Sequence, residues 1–100
     1  MDRVVFVLKA RPGTEKSYAD YLRKNRLSDE TLGEAGVNAW SIFMQGDQVV
    51  AYLEAEDMKR TMSVLSEHPE AKKFEEGEAE FLLLEGPLNP LQEIFRYERG

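Results

Sequence analysis

Four aromatic residues of the sequence could line a site for a small polar ligand: Tyr18, Trp40, Tyr52 and Phe74. Aromatic faces stack on the apolar faces of sugar rings, while phenol and indole groups donate hydrogen bonds to hydroxyls. The same residues would also fill a hydrophobic core, and their spacing alone leaves both roles open. Which role each side chain has depends on the elements that position it.

The other residues that could carry chemistry are few. The chain has one histidine and no cysteine, so a zinc site would need mostly carboxylate ligands. His68 stands before a proline at a predicted helix end, where a capping or surface role is favoured over a catalytic one. The acidic run from Glu75 to Glu80 is favoured as a solvated helix face over a cation site. The sequence contains no glycine-rich phosphate loop and no nucleophile elbow.

Length and composition predict one soluble domain over residues 1–100. One hundred residues are the usual size of one domain, and the 42% hydrophobic content is enough for a core. No apolar run approaches the roughly 18 residues of a membrane helix, and the N-terminus lacks a signal-peptide cleavage site. The absence of cysteine fits a cytoplasmic protein. Because the net charge is −6, a nucleic-acid partner is not expected.

The pattern of apolar residues, caps and turns predicts a mixture of strands and helices. Val4–Leu8 is an apolar run that ends before Pro12-Gly13, as expected of a strand. Val37–Met44 and Gln48–Glu54 flank a short glycine-containing turn and predict a hairpin. The other predicted elements are a helix over 14–26 capped by Thr14, a short helix from Ser28 that ends at Gly33 and Gly36, a helix capped by Asp57, a helix from Pro69 that continues through 81–84, a loop over 86–90 and a last strand over Leu91–Tyr97.

This order predicts an α+β fold of the ferredoxin type, βαββαβ, with an antiparallel sheet and helices on one face. A short strand is the alternative to helix over 81–84. The first strand and the hairpin carry apolar side chains on both faces, whereas a half-covered strand alternates apolar and polar residues. Helices on one side cannot cover the second face, so a homodimer through that face is predicted. A cavity between that face and its cover would be a natural ligand site.

Several segments resemble the L-rhamnose mutarotase family, and together they cover nearly the whole chain. They are Arg3–Lys9 with Pro12-Gly13, Glu34–Phe43, Val50–Asp57 and Leu91–Phe95, the last of which is similar to the family's closing strand. The resemblance implies a dimeric α+β barrel that interconverts sugar anomers without a cofactor or a metal. Because the matching segments are structural, the resemblance is more specific for fold and lineage than for activity.

In the site that the resemblance implies, the match is partial. Tyr18 corresponds to the family's first-helix tyrosine, whereas Leu22 stands where the family has the histidine that acts as general acid. Trp40 corresponds to an aromatic residue on the second strand, and Lys73-Phe74 to the family's tryptophan pair. The substrate-binding candidates are therefore Tyr18, Trp40, Lys73 and Phe74, and the catalytic candidates are Tyr18 and Lys73.

Three classes of function stay open. The first is a mutarotase-like protein that binds a monosaccharide or similar small ring, with Tyr18 or a desolvated Lys73 as proton donor. Lys73 would equally suit a helix surface, paired with a nearby glutamate. The second is a catalytically silent dimeric barrel that binds a small ligand or another protein. The third is a polyketide cyclase or monooxygenase with an aromatic substrate, because Ser66–Pro69 resembles small aromatic polyketide cyclases. Convergent polar groups in the cavity would favour a sugar.

Overall fold

The computed structural model describes residues 1–84 and 88–99, and this part of the chain forms four strands and four helices. They are β1 (Asp2–Ala10), α1 (Glu15–Asn25), α2 (Asp29–Ala35), β2 (Val37–Gln45), β3 (Gln48–Ala55), α3 (Met58–Glu67), α4 (Pro69–Glu78) and β4 (Leu82–Leu83). The predicted α+β class is confirmed, and the first helix and the hairpin lie within one residue of their predicted bounds. In the described ranges, no helix is long and apolar enough to cross a membrane.

The strands form one antiparallel sheet in the order β2-β3-β1-β4. Side chains alternate between the two faces along each strand. On the face turned toward the helices, Val49 of β3 and Ala10 of β1 are fully buried. On the opposite face, Val7, Val50 and Phe43 lie side by side across the three long strands. Val7 is 45% exposed and Phe43 is 60% exposed, so this second apolar face, the open face, is partly open to solvent.

Capping residues set the ends of several helices. Ser28 and Asp57 each accept a hydrogen bond from the backbone N–H three residues further on, as N-caps do. His68 accepts one from the amide two residues further on at 3.1 Å, so its predicted capping role is confirmed. Gly36, with φ of 80°, ends α2 in the left-handed conformation. Thr14 stands at the N-cap of α1, but its side chain makes no capping hydrogen bond.

A close approach of α1 to α4 depends on one glycine. Tyr21 of α1 donates a hydrogen bond to the carbonyl of Phe74 at 2.9 Å, and the two rings stack with centroids 5.7 Å apart. A Cβ atom at Gly77 would lie 2.2 Å from the Tyr21 hydroxyl oxygen. The two helices can therefore meet here because residue 77 has no side chain.

The prediction that helix continues through residues 81–84 is wrong. The helix ends at Glu78, and Leu82–Leu83 form the short strand β4, which pairs with the end of β1. Leu82 is buried in the core, and the Phe81 carbonyl accepts a hydrogen bond from the Arg11 amide at 2.8 Å. Pairing with β1 satisfies the backbone hydrogen-bonding groups of β4 and buries the side chain of Leu82. These contacts outweigh the helical spacing of the apolar residues in this segment.

The predicted last strand over Leu91–Tyr97 is also wrong for this chain alone. Residues 88–99 form no strand, and one backbone hydrogen bond, from the Leu91 amide to the Val5 carbonyl at 2.8 Å, joins them to the rest of the described chain. A strand requires a partner along its length, and this segment runs alone after Leu91. Of the predicted loop over 86–90, positions 86 and 87 lie outside the described residues, and 88–90 are irregular.

The contact between Tyr21 and Gly77 predicts opposite effects for two glycine substitutions. Gly77→Ala should lower the free energy of unfolding by about 1–3 kcal/mol, because the new methyl group overpacks the contact between α1 and α4. Gly33→Ala is the control, since nothing lies within 4 Å of its Cβ position in α2. It should raise the stability by about 0.5–1 kcal/mol through helix propensity. Urea unfolding measures both, and an equal gain for the two variants would contradict this packing.

Candidate functional site

Tyr18 and Glu78 form a hydrogen-bonded pair between the first helix and the last. The Tyr18 hydroxyl donates to Glu78 Oε2 at 2.7 Å. Tyr18 is fully buried on the helix-facing side of the sheet, where it packs with Ala10, Val49 and Leu82. Its ring therefore occupies interior space that would otherwise be available to a ligand.

Burial controls the protonation of this pair. Burial raises the pKa of the Tyr18 hydroxyl, and the negative charge of Glu78 raises it further. Burial also raises the pKa of the Glu78 carboxyl. The hydrogen bond from Tyr18 lowers this pKa, whereas the negative charge of the nearby Glu75 raises it further. The phenol consequently stays protonated, and the carboxyl keeps its proton to a higher pH than an exposed glutamate does.

Trp40 and Phe74 meet in a second part of the interior. Their rings are edge to face with centroids 5.6 Å apart, a favourable arrangement for aromatic pairs. Phe74 is buried with Leu27 and Ala71, and Trp40 packs against this cluster from the sheet. Two of the predicted binding residues, Trp40 and Phe74, are therefore in contact. Phe74 also stacks on Tyr21 of α1.

A cavity of about 480 Å³, the α1–α4 cavity, lies between α1 and α4. Its lining combines two aromatic rings with charged and amide groups: Tyr21, Asn25, Glu70, Lys73, Phe74, Glu76, Gly77 and Glu80. Lys73 is exposed at the surface of α4, where its ammonium group can donate hydrogen bonds at the mouth of the cavity. The cavity therefore offers a stacking surface with polar groups around it.

One of the carboxylates at this cavity is held by other contacts. Glu70 accepts hydrogen bonds from the Ser28 amide at 2.7 Å, from the Ser28 hydroxyl at 3.0 Å and from the Thr31 hydroxyl. These hydrogen bonds, led by the one from Thr31, lower the pKa of Glu70. Glu70 thus joins the start of α4 to the start of α2, and it is a less suitable ligand contact than Lys73, Glu76 or Asn25.

A second cavity, of about 320 Å³, lies between the sheet and the C-terminal segment. Its lining residues are Arg3, Val5, Tyr52, Leu91, Gln92 and Glu93. Val5 and Tyr52 are paired residues of β1 and β3, and Arg3 forms a salt bridge with Glu93. This cavity belongs to the sheet side that carries Val7 and Phe43, so a second copy covering that side would also cover the cavity.

The structure separates the four predicted site residues into two groups. Phe74 and Lys73 line the α1–α4 cavity, with Trp40 behind Phe74, whereas Tyr18 is paired with Glu78 in the interior. Tyr18 lines neither of the two cavities described above. Among residues 1–84 and 88–99, no group of three or more histidine, aspartate or glutamate side chains could hold a metal ion.

Sequence reasoning missed three residues of this region. The acidic run that the sequence favours as solvated contains Glu78, yet Glu78 follows Ala71 and Phe74 at the spacing of one helix face. That spacing indicates that its side chain turns toward the interior. Tyr21 and Asn25 lie one helical turn apart on α1, so they face α4 together. Their position became apparent only from the packing of the two helices.

Comparison with known proteins gives one family and one fold. The model of the L-rhamnose mutarotase family matches residues 3–97. No curated protein matches the chain by sequence. A solved L-rhamnose mutarotase from Formosa agariphila superimposes with a TM-score of 0.75 and 22% identity, over 98% of this chain and 100% of that chain.

Two further structures show how widely this fold is shared. Tetracenomycin F2 cyclase from Streptomyces glaucescens, a type-II polyketide cyclase, has a TM-score of 0.75 and 20% identity, over 100% of both chains. An antibiotic biosynthesis monooxygenase has a TM-score of 0.66 and 12% identity, over 92% of this chain and 97% of that chain. At such identities the likeness concerns the fold alone.

The half-buried carboxyl of Glu78 predicts a specific dependence of stability on pH. Because burial raises its pKa in the folded state, its contribution is fully present below about pH 4.5 and is lost as the pH rises through the folded value. Glu78→Gln keeps an oxygen that accepts from Tyr18 but cannot ionise. We expect its free energy of unfolding, relative to the natural chain, to increase between pH 4 and neutral pH, because only the natural chain must lose a proton from this site.

Urea unfolding at a series of pH values measures this difference. Glu76→Gln removes the same charge from the exposed side of α4 and is the matched control. A difference between Glu78→Gln and the natural chain that stays constant with pH would show that Glu78 is not buried as described.

Proposed function

The chain belongs to the L-rhamnose mutarotase family, and we propose that it binds a monosaccharide or a similar small polar ring in the α1–α4 cavity. One observation carries this proposal: the cavity combines the stacked rings of Tyr21 and Phe74 with the polar groups of Asn25, Lys73 and Glu76. Sugars need both, because their ring faces are apolar and their hydroxyls require hydrogen-bond partners.

The volume and position of the cavity support this proposal. A cavity of about 480 Å³ is within the usual range for small-molecule sites. The tyrosine that the family uses is not available to a ligand here, since Tyr18 is fully buried and bonded to Glu78. A ligand in the α1–α4 cavity would contact the side of Phe74 that lines the cavity. It would therefore not have to displace Tyr18 from the core.

Anomer interconversion by this chain is proposed to be slow. Mutarotation needs a donor for the ring oxygen and an acceptor for the proton of the anomeric hydroxyl, both within hydrogen-bond reach. Leu22 can serve as neither, and it packs in the core. Lys73 is the candidate donor at the cavity, and Tyr18 would have to leave its contact with Glu78 to act.

A planar aromatic ring is the second candidate ligand. The surfaces that Tyr21 and Phe74 present to the cavity would contact such a ring as readily as a sugar face. The shared fold with a polyketide cyclase agrees with this possibility. The two candidates differ in what they need from Asn25 and Lys73, since only a polyhydroxylated ring requires several hydrogen bonds.

We further propose that the protein is a cytoplasmic homodimer and that residues 1–100 act as one domain. The open face exposes Val7 and Phe43, and two copies placed face to face would remove both from water. The lack of cysteine agrees with a reducing compartment. Light scattering at micromolar concentration should report about twice the chain mass of 11.5 kDa, and a soluble monomer would contradict the dimer.

Ligand binding should be visible in the fluorescence of the single tryptophan. Trp40 contacts Phe74 edge to face, so a ring that stacks on Phe74 should change its emission. Titration with L-rhamnose, other monosaccharides and aromatic acids at millimolar concentration tests this and distinguishes the two ligand classes. Phe74→Leu should weaken binding by roughly two- to tenfold, because one aromatic contact is lost.

Phe43→Leu is the matched control for this titration, since Phe43 lies on the opposite face of the sheet. An effect of Phe43→Leu that equals that of Phe74→Leu would place the ligand at the open face. No change in emission with any member of the panel would count against the proposed cavity.

Anomer exchange of L-rhamnose should be slow or at background level. General acid–base groups contribute about 10²–10⁴-fold, and the family's acid is replaced by Leu22. Saturation-transfer NMR between the two anomers, with and without protein, measures the rate. If exchange is rapid instead, Lys73→Met and Tyr18→Phe identify the donor: the variant that abolishes exchange while it keeps the fold marks the residue that supplies the proton.

A further inference from the structure

The lining of the α1–α4 cavity carries more negative than positive charge. Its charged residues are the glutamates Glu70, Glu76 and Glu80 and a single lysine, Lys73. The carboxylate of Glu70 is engaged by hydrogen bonds from the start of α2. Glu76 and Glu80 are exposed, and the salt bridges among residues 1–84 and 88–99 include neither of them. These two carboxylates can therefore contact a ligand in the cavity.

The last turn of α4 has acidic residues where helices usually have basic ones. Glu75, Glu76 and Glu78 lie in this turn, which contains no basic residue, and Glu80 follows it. The C-terminus of a helix is the negative end of its dipole, so carboxylates are locally unfavourable there. Natural chains tolerate such local conflicts mainly at functional sites. The arrangement concentrates negative potential at one end of the cavity.

This negative potential acts on an aromatic wall of the cavity. Burial raises the pKa of the Tyr21 hydroxyl, and the negative charges of Glu78 and Glu80 raise it further. The Tyr21 hydroxyl lies against Gly77 in the last turn of α4, and the Tyr21 ring stacks on Phe74. Aromatic rings attract cations to their faces and also pack on sugar rings. The rings and the carboxylates together favour a ring-shaped ligand with a positive charge.

An organic cation suits this lining better than a metal ion or an anion. In the described part of the chain, no three histidine, aspartate or glutamate side chains are placed to hold a metal ion. Calcium takes six or more oxygen ligands, whereas an ammonium group donates only three hydrogen bonds. A carboxylated or phosphorylated sugar would meet like charge at Glu76 and Glu80.

We propose that the α1–α4 cavity selects sugars that carry a protonated amino group, and that Glu76 and Glu80 determine this specificity. The inference rests on the proposed function, because it requires a sugar in this cavity, and it adds the charge of the ligand. The sugar ring would contact Tyr21 and Phe74, and its ammonium group would face the carboxylates at the end of α4. Lys73 lies nearer the start of α4, where it can bond the ring hydroxyls.

Three sugars with one ring skeleton test the dependence on charge: D-glucose, D-glucosamine and N-acetyl-D-glucosamine. Each is titrated into the isotope-labelled natural chain at about pH 6, where the free amine is protonated. The NMR resonances of Tyr21 and Gly77 report binding in the cavity. We expect the Kd of glucosamine to be roughly three- to tenfold lower than that of the two neutral sugars at low ionic strength. This advantage should largely disappear in about 0.5 M salt, because exposed charges are screened.

A matched pair of double variants locates the residues that recognise the ammonium group. Glu76→Gln with Glu80→Gln should bring the ratio of the glucosamine and glucose affinities close to one. Glu67→Gln with Glu75→Gln removes the same charge from exposed helix positions outside the lining, and it should keep the ratio. Urea unfolding checks that both variants fold. The first should be at least as stable as the natural chain, because carboxylates leave the negative end of α4.

The outcomes separate this inference from the proposed sugar site. Equal affinity for glucosamine and glucose, with shifts at Tyr21 and Gly77, would overturn the charge preference and leave the site intact. Binding of L-rhamnose without binding of glucosamine would do the same. A preference that survives in the Glu76 and Glu80 double variant would contradict their role in specificity. No shift in the cavity with L-rhamnose or any of the three sugars would overturn both proposals.

Discussion

The hydrogen bond from Tyr18 to Glu78 determines how the interior of this protein is used. It joins α1 to the last turn of α4 under cover of the core, and it holds an aromatic ring in the space between helices and sheet. This hydrogen bond is costly to break, because the buried Tyr18 hydroxyl would be left without a partner. The pair therefore keeps this interior closed, and a ligand must find its place elsewhere.

The closed interior explains the position of the α1–α4 cavity. Tyr18 attaches α1 to α4, and Tyr21, one helical turn further along α1, also contacts α4. Gly77 allows the two helices to approach at this contact. Phe74 then lies between two environments, with Trp40 on the core side and Tyr21 and the cavity on the other. Phe74 thus contributes both to the core and to the lining of the cavity.

Much of the fold could be predicted from the sequence, because local signals agree with the tertiary structure. The capping residues Ser28 and Asp57, and the turn between β2 and β3, place their elements almost to the residue. Residues 81–84 could not be assigned in this way, because pairing with β1 decides their structure and no local pattern reports it. The segment over Leu91–Tyr97 has the composition of a strand but no partner in its own chain.

The site was less predictable than the fold. Aromatic residues look alike in sequence whether they fill a core or line a cavity, and here Tyr18 does the first while Phe74 does both. The carboxyl of Glu78 was hidden in an acidic run, although its helical spacing from Phe74 indicates the buried face. The distance between α1 and α4 determines the size of the cavity. That distance depends on the close contact at Gly77, and no sequence motif predicts it.

Chemical-shift mapping by NMR tests the central claim most directly, namely that the ligand site lies between α1 and α4. L-rhamnose would be titrated into isotope-labelled natural protein, and the shifted resonances assigned. We expect the largest changes at Tyr21, Asn25, Lys73 and Phe74, with little change at Tyr18. Changes confined to the open face, around Arg3 and the other residues of the second cavity, would contradict it.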